Sequence, residues 1–86
     1  MMEVTRSFRG ISSRLAENYL RNLGGESVDG EWDIEGEGWR ASLSEEKVGV
    51  GPSLQLNEVT VVFEGEEETL EELIPEFAQK AMRAGG

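Results

Sequence analysis

The sequence predicts an α+β fold of the order β-α-β(4)-α, in which two helices pack on one face of a single curved antiparallel sheet. Val59, Val61 and Phe63 occupy alternate positions, which places three apolar side chains on one face of a strand. After them, apolar residues recur at three- and four-residue steps, as on one face of a helix. Those residues are Leu70, Leu73, Ile74, Phe77, Ala78, Ala81 and Met82. Because neither a lone helix nor a lone hairpin buries its apolar side, this helix is predicted to pack on that sheet.

The length and composition limit what the chain can be. All 86 residues are predicted to form one domain, 1–86. The chain has no cysteine and no histidine, and it shows no carboxylate spacing typical of a calcium or magnesium loop, so we expect neither a metal site nor a cofactor. No apolar stretch approaches the roughly 20 residues that span a bilayer, and no signal-peptide core is visible, so a cytoplasmic location is expected.

The charge of the chain is strongly acidic and unevenly distributed. The formal net charge is −10, with +2 on residues 1–25 and −12 on residues 26–86. Such a surface repels polyanions, which argues against nucleic acid and anionic membranes as partners. An acidic surface with only two lysines is typical of proteins from a salt-rich cytoplasm, and a halophilic host is therefore expected. An acidic protein from an ordinary host is the alternative.

The first 25 residues predict a strand and a helix. The strand has one apolar face, interrupted by Arg6, which is either a snorkelling side chain at a sheet edge or a charge that faces a ligand. The apolar positions are Met2, Val4 and Phe8. The helix is predicted from Ser13 to Leu23, with Ser12 or Ser13 as its N-terminal cap and the glycines at 24–25 as its end.

The middle of the chain predicts an antiparallel meander of about four strands. Alternation predicts strands at 27–35 and 39–44, with Trp32 and Trp39 on the same side of the hairpin between them. A turn at 45–46 separates them from a short strand at 48–50. Leu54 and Leu56 are out of step with Val59, which predicts either a bulge near residue 57 or two strands that meet there.

The last helix has its own start signal. Thr69 and Glu72 are spaced as in a capping box, where a hydroxyl and a carboxylate each bind a free main-chain amide. Pro75 falls inside the helix on its polar flank. Because the apolar spacing continues through Pro75 without a slip, the sequence predicts one bent helix rather than two.

Four short segments carry a resemblance to known proteins. They are Phe8-Arg9-Gly10-Ile11-Ser12, Gly38-Trp39-Arg40-Ala41-Ser42-Leu43-Ser44, Val50-Gly51-Pro52-Ser53-Leu54 and the stretch from Phe77 to Gly86. With them the chain resembles a group of small haloarchaeal proteins. Its element order is similar to the domain that follows a MoaD-type ubiquitin-like domain in some molybdopterin-synthase-related proteins. The resemblance implies a TATA-binding-protein-like fold and an association with molybdopterin or sulfur-transfer proteins. It does not identify any functional residue of this chain.

The first candidate site is the only basic cluster of the chain, made of Arg9, Ser12, Ser13 and Arg14. A helix N-terminus offers free N–H groups, and these side chains add hydroxyls and positive charge around an anion such as a phosphate-bearing ligand or a pterin. The alternative is an ordinary serine cap with solvated arginines.

Two further candidates are a pair of aromatic residues and a pair of glycines. Trp32 and Trp39 either line a ligand pocket or lie in the core under a helix. Gly85 and Gly86 match the diglycine tail that ubiquitin-like and MoaD-type proteins use for conjugation. However, the predicted helix runs almost to that tail and the β-grasp order is absent, so a glycine helix stop is the alternative.

These observations favour a non-catalytic binding or adaptor module over an enzyme. The chain has no histidine or cysteine to form a nucleophile–base pair, and its two lysines have no serine-rich motif near them. The expected partner is a protein, with no nucleic acid and no membrane, and the chain is expected to be a monomer or a weak homodimer. Two other functions stay open. One is a ubiquitin-like modifier or sulfur carrier that acts through Gly85 and Gly86, and the other is a carrier of a small anion or pterin.

Overall fold

The computed structural model describes residues 1–28, 32–49 and 51–85, with side chains through Arg83. They form one antiparallel sheet of five strands in the order β1-β5-β4-β3-β2, together with two helices. The predicted α+β class, with a single antiparallel sheet, is confirmed. The elements are β1 Met2–Arg9, α1 Ser13–Asn22, β2 Glu26–Ser27, β3 Asp33–Gly36, β4 Trp39–Gly49, β5 Gln55–Gly65 and α2 Glu67–Gly85.

The inner strand β5, which lies between β1 and β4, carries three buried apolar residues of the sheet. Val59, Val61 and Phe63 are completely buried, as their alternation predicts. β1 pairs with one side of β5 and β4 with the other, so Val61 lies between Arg6 on β1 and Leu43 on β4. Both helices pack on this face, because the buried residues of α1, α2 and the strands form one apolar cluster.

An aromatic cluster holds α2 against the sheet. The ring of Phe77, which is completely buried, meets the rings of Phe8, Tyr19 and Phe63 edge to face, with centroid separations of 5.1, 6.2 and 5.7 Å. Edge-to-face packing is favourable because the positive rim of one ring meets the negative face of the next. Phe77 therefore joins α2 to β1, α1 and β5 at one point.

The predicted strand at 27–35 is wrong. β2 and β3 pair antiparallel with each other, with Glu26 opposite Glu35, so the chain reverses between them. Trp32 comes just before β3; it is 37 % exposed and lies outside the core cluster, whereas Trp39 is only 7 % exposed and lies inside it.

The turn predicted at 45–46 and the break near residue 57 are also wrong. β4 runs unbroken through Glu45 and pairs with β5 in one continuous register from Trp39–Gly65 to Gly49–Gln55. The pairing between β4 and β5 along their full length outweighs the turn preference of the two glutamates. In the unbroken register Leu56 lies opposite Val48 and faces away from Val59, which explains why its period differs. Val50, part of the predicted strand 48–50, lies outside the described residues.

Helix α2 is a single helix through Pro75, as predicted, but it begins earlier than predicted. It starts at Glu67, and the carbonyl of Glu66 accepts the first helical hydrogen bond from Leu70 N at 2.9 Å. Thr69 therefore lies inside the first turn, so it is not an N-terminal cap, and the predicted capping box is wrong. The apolar stripe is also shorter than predicted, because Met82 is 72 % exposed.

Candidate functional site

The predicted anion site lies at the N-terminus of α1. Ser12 caps the helix, and its Oγ accepts a hydrogen bond from Leu15 N at 3.1 Å. The next amide, Ser13 N, donates to Oε1 of Glu45 on β4 at 2.6 Å. Because an anion at this helix end would use the same amide, the carboxylate of Glu45 stands where an external anion would bind.

The two arginines of this cluster have different surroundings. Arg9 lies at the end of β1, where its Nε contacts Oε2 of Glu58 at 3.1 Å. Arg14 is exposed in the first turn of α1, next to the buried Ser13. Within the described part of the chain, the Ser13 hydroxyl has no hydrogen-bond partner. The structure thus brings Ser12, Ser13 and Arg14 together and turns Arg9 toward another strand.

The two tryptophans occupy different environments. Trp39 lines a shallow cavity of about 260 Å³ between the end of α1, the β3–β4 turn and α2. The cavity is bordered by Glu37, Glu72 and Glu76, and Trp32 is not part of its wall. In the described residues no three carboxylates are arranged to hold a metal ion. The acidic rim instead suits the cationic side chain of a ligand or partner.

Of the two glycines at 85–86, the structure describes the backbone of the first. The backbone is helical through Gly85, while Gly86 lies outside the described residues. An extended diglycine tail would therefore require the last turn of α2 to unwind. None of the described helices is long and apolar enough to cross a membrane.

The sheet face opposite the helices carries a second candidate surface. Six short side chains lie there in two cross-strand rows, which we call the platform. One row is Thr5–Val62–Ser42 and the other is Ser7–Thr60–Ser44. Ser7 Oγ and Thr60 Oγ1 lie 3.3 Å apart, within hydrogen-bond distance. The signal in the sequence is the recurrence of short side chains, all polar except Val62, at every second position of three strands.

Charged rows border the platform at both ends. Glu64 lies between Glu3 and Arg40 at one end, and Glu58 lies between Arg9 and Glu46 at the other. Asp33 of β3 accepts a hydrogen bond from Ser42 Oγ at 3.0 Å and lies 3.8 Å from Arg40. Carboxylates outnumber arginines in both rows. The result is a surface of short side chains with an acidic border, which fits a partner surface with a basic border.

One family model matches this chain. Its description is archaeal MoaD-like protein, and the match covers residues 4–86, which is nearly the whole sequence. No curated protein matches the chain.

Proposed function

The chain belongs to the archaeal MoaD-like protein family, and from this premise we propose that it is a non-catalytic binding module for a protein of molybdopterin or sulfur transfer. The platform is the observation that carries the proposal. One face of the sheet packs on both helices, whereas the other face presents short side chains that leave room for a partner to approach the strands closely.

The charge around the platform favours a partner with a basic contact surface. The rows that contain Glu64 and Glu58 are acidic, so a partner with lysine or arginine at the edges of its contact surface gains attraction there. Nucleic acid would be repelled by the same rows. The platform offers only hydroxyls as polar groups, and the chain has neither a histidine nor a cysteine, which suits binding rather than catalysis.

The proposal is tested by capture from an archaeal lysate at high salt. Immobilised protein should enrich molybdopterin or sulfur-transfer proteins, identified by mass spectrometry. Thr60→Lys, in the centre of the platform, should abolish the enrichment, while Asn18→Lys, on the exposed side of α1, should preserve it. Equal capture by both variants would exclude the platform as the binding surface.

A sulfur carrier or modifier is the second candidate, favoured by the family and by the glycines at 85–86. This function needs a free, extended C-terminus, whereas the binding module does not. Deletion of Gly86 should leave capture of the partner unchanged if the protein is a binding module. Loss of covalent adducts or of a C-terminal thiocarboxylate on the same deletion would favour the carrier.

A further inference from the structure

Strand β1 lies at the edge of the sheet and has free main-chain hydrogen-bonding groups. The sheet order leaves one side of β1 without a neighbour among the described strands. Gly10 N donates to Asn57 O at 2.9 Å, so the even-numbered residues of β1 form the hydrogen-bonded pairs with β5. The N–H and C=O groups of the odd-numbered residues therefore point away from the sheet, which makes this edge a template for another strand. Those residues are Glu3, Thr5, Ser7 and Arg9.

An apolar groove of about 250 Å³ runs beside this edge, between β1 and α2. Its walls include Val4 from the strand and Ile74 and Pro75 from the helix. Arg6 and Glu71 also line the groove, from the strand and from the helix. A strand added to β1 would place every second side chain over this groove, because side chains alternate between the two faces of a sheet.

The sequence of β1 is complementary to itself when two copies run antiparallel about Arg6. In that register Glu3 of one copy lies opposite Arg9 of the other, and Val4 lies opposite Phe8. Moving the register by two residues in either direction places Arg9 opposite Met1 or Thr5 and loses the charge pair. We propose that the protein forms a two-fold symmetric dimer through β1, in which the two sheets join into one sheet of ten strands.

The charge pattern of a single copy leaves Glu3 in an unfavourable position that the dimer relieves. Glu3 lies directly opposite Glu64 on β5, and like charges across a strand pair repel. The partner copy places Arg9 on the other side of Glu3. The side chain of Arg9 is 59 % exposed although it contacts Glu58, so its open side is available for a second carboxylate. Arg9 of each copy then lies between its own Glu58 and Glu3 of the other copy.

The groove and the platform are both extended by this pairing. Phe8 of the second copy lies opposite Val4 on the same face of the joined sheet, beside the apolar wall of the groove. The two Arg6 side chains meet at the symmetry axis, and Glu71 in each groove supplies the opposite charge. On the other face, Thr5 and Ser7 of one copy lie beside Ser7 and Thr5 of the other, so the two platforms become continuous.

Disulfide trapping tests the register. The protein has no cysteine, so any disulfide must come from an introduced residue. At the symmetry axis Arg6 forms a non-hydrogen-bonded pair with its counterpart, with Cα atoms about 4.5 Å apart, inside the range that a disulfide spans. Arg6→Cys should therefore form a disulfide-linked dimer on mild oxidation. Ser7→Cys, on the same exposed strand, should remain largely unlinked because it faces Thr5. Equal linkage of both variants, or none in Arg6→Cys, would overturn the proposal.

Charge reversal tests the contact without a covalent bond. Glu3→Arg and Arg9→Glu should each weaken dimerisation by about tenfold or more in sedimentation, since each places two like-charged pairs in the junction. The double variant should recover to within about threefold of the original, because it restores the pairs with their signs exchanged. Circular dichroism verifies that each variant is folded. A wild-type protein that stays monomeric at roughly 1 mM, a concentration at which even weak complexes form, would refute the dimer. That result leaves capture of a partner through the platform unaffected.

Discussion

The main-chain N–H of Ser13 donates a hydrogen bond to Oε1 of Glu45 at 2.6 Å, although the two residues are 32 positions apart. This bond ties the first turn of α1 to the middle of β4. It also satisfies one of the four N–H groups that a helix leaves free at its N-terminus, and it places a carboxylate at the positive end of the helix dipole. Glu45 thus stabilises α1 from another part of the chain.

Replacement of Glu45 by alanine should lower the stability of the whole domain. The lost bond is charge-assisted and partly buried, so the free energy of unfolding should fall by about 1–2 kcal/mol. Thermal denaturation should show a decrease of about 4–8 °C for each kcal/mol in a domain of this size. Glu46→Ala is the matched control, since Glu46 faces the other side of the sheet and should change stability by less than about 0.5 kcal/mol. Equal effects of the two variants would contradict this role for Glu45.

Replacement of Phe77 by alanine should be the most damaging single change on α2. Phe77 is completely buried between three aromatic rings, and such truncations cost about 3–5 kcal/mol. That loss is a large part of the roughly 5–15 kcal/mol that stabilises a domain. Urea denaturation should therefore show a much lower midpoint. Met82→Ala on the same helix should leave the midpoint almost unchanged, because Met82 is 72 % exposed.

The sequence predicted the parts of the fold that depend on local periodicity. Two such signals are the alternation at Val59, Val61 and Phe63 and the helical spacing around Phe77. In both, the position of each apolar residue indicates which face of the strand or helix it lies on. Both helices and the buried part of β5 follow from these signals. Pro75 was correctly placed inside one helix, because the apolar spacing on both sides of it stayed in phase.

The features that were missed depend on residues far apart in the chain. The turn predicted at 45–46 was wrong because β5 pairs with β4 along its full length, which two adjacent glutamates do not reveal. The bond between Glu45 and Ser13 follows from that pairing, so it was missed as well. The platform was invisible as a unit, since the three strands that form it are brought side by side only by the strand order.

Replacement of Gly36 by alanine should displace Trp39 from the core. A Cβ atom at Gly36 would overlap the indole ring of Trp39, which is almost completely buried. Overpacking of this kind costs about 1–3 kcal/mol, and the emission of Trp39 should shift to longer wavelength as the ring meets water. Gly49→Ala is the control, because no atom of the described residues beyond its chain neighbours lies within 4 Å of the position of its Cβ atom. An unshifted emission spectrum in Gly36→Ala would contradict the displacement of Trp39 into water.

Salt should stabilise this protein, because its net charge of −10 produces repulsion that ions screen. The screening length falls from about 10 Å at 0.1 M salt to about 3 Å at 1 M. Relief of about 1 kcal/mol of repulsion would raise the melting temperature by about 4–8 °C. Thermal denaturation in KCl between these concentrations measures the effect, and a melting temperature that is independent of KCl would contradict it.

Replacement of two glutamates on α2 should distinguish charge screening from the other effects of salt on stability. Glu72 and Glu76 are exposed, lie four residues apart on one helix and line the same cavity as Glu37. Like charges at this spacing destabilise a helix by about 0.2–0.5 kcal/mol, so Glu72→Gln combined with Glu76→Gln should raise the melting temperature in dilute buffer. At high KCl the gain over the original protein should disappear, because the repulsion is already screened there. If the gain stayed constant at every salt concentration, it would come from helix propensity or packing and not from charge.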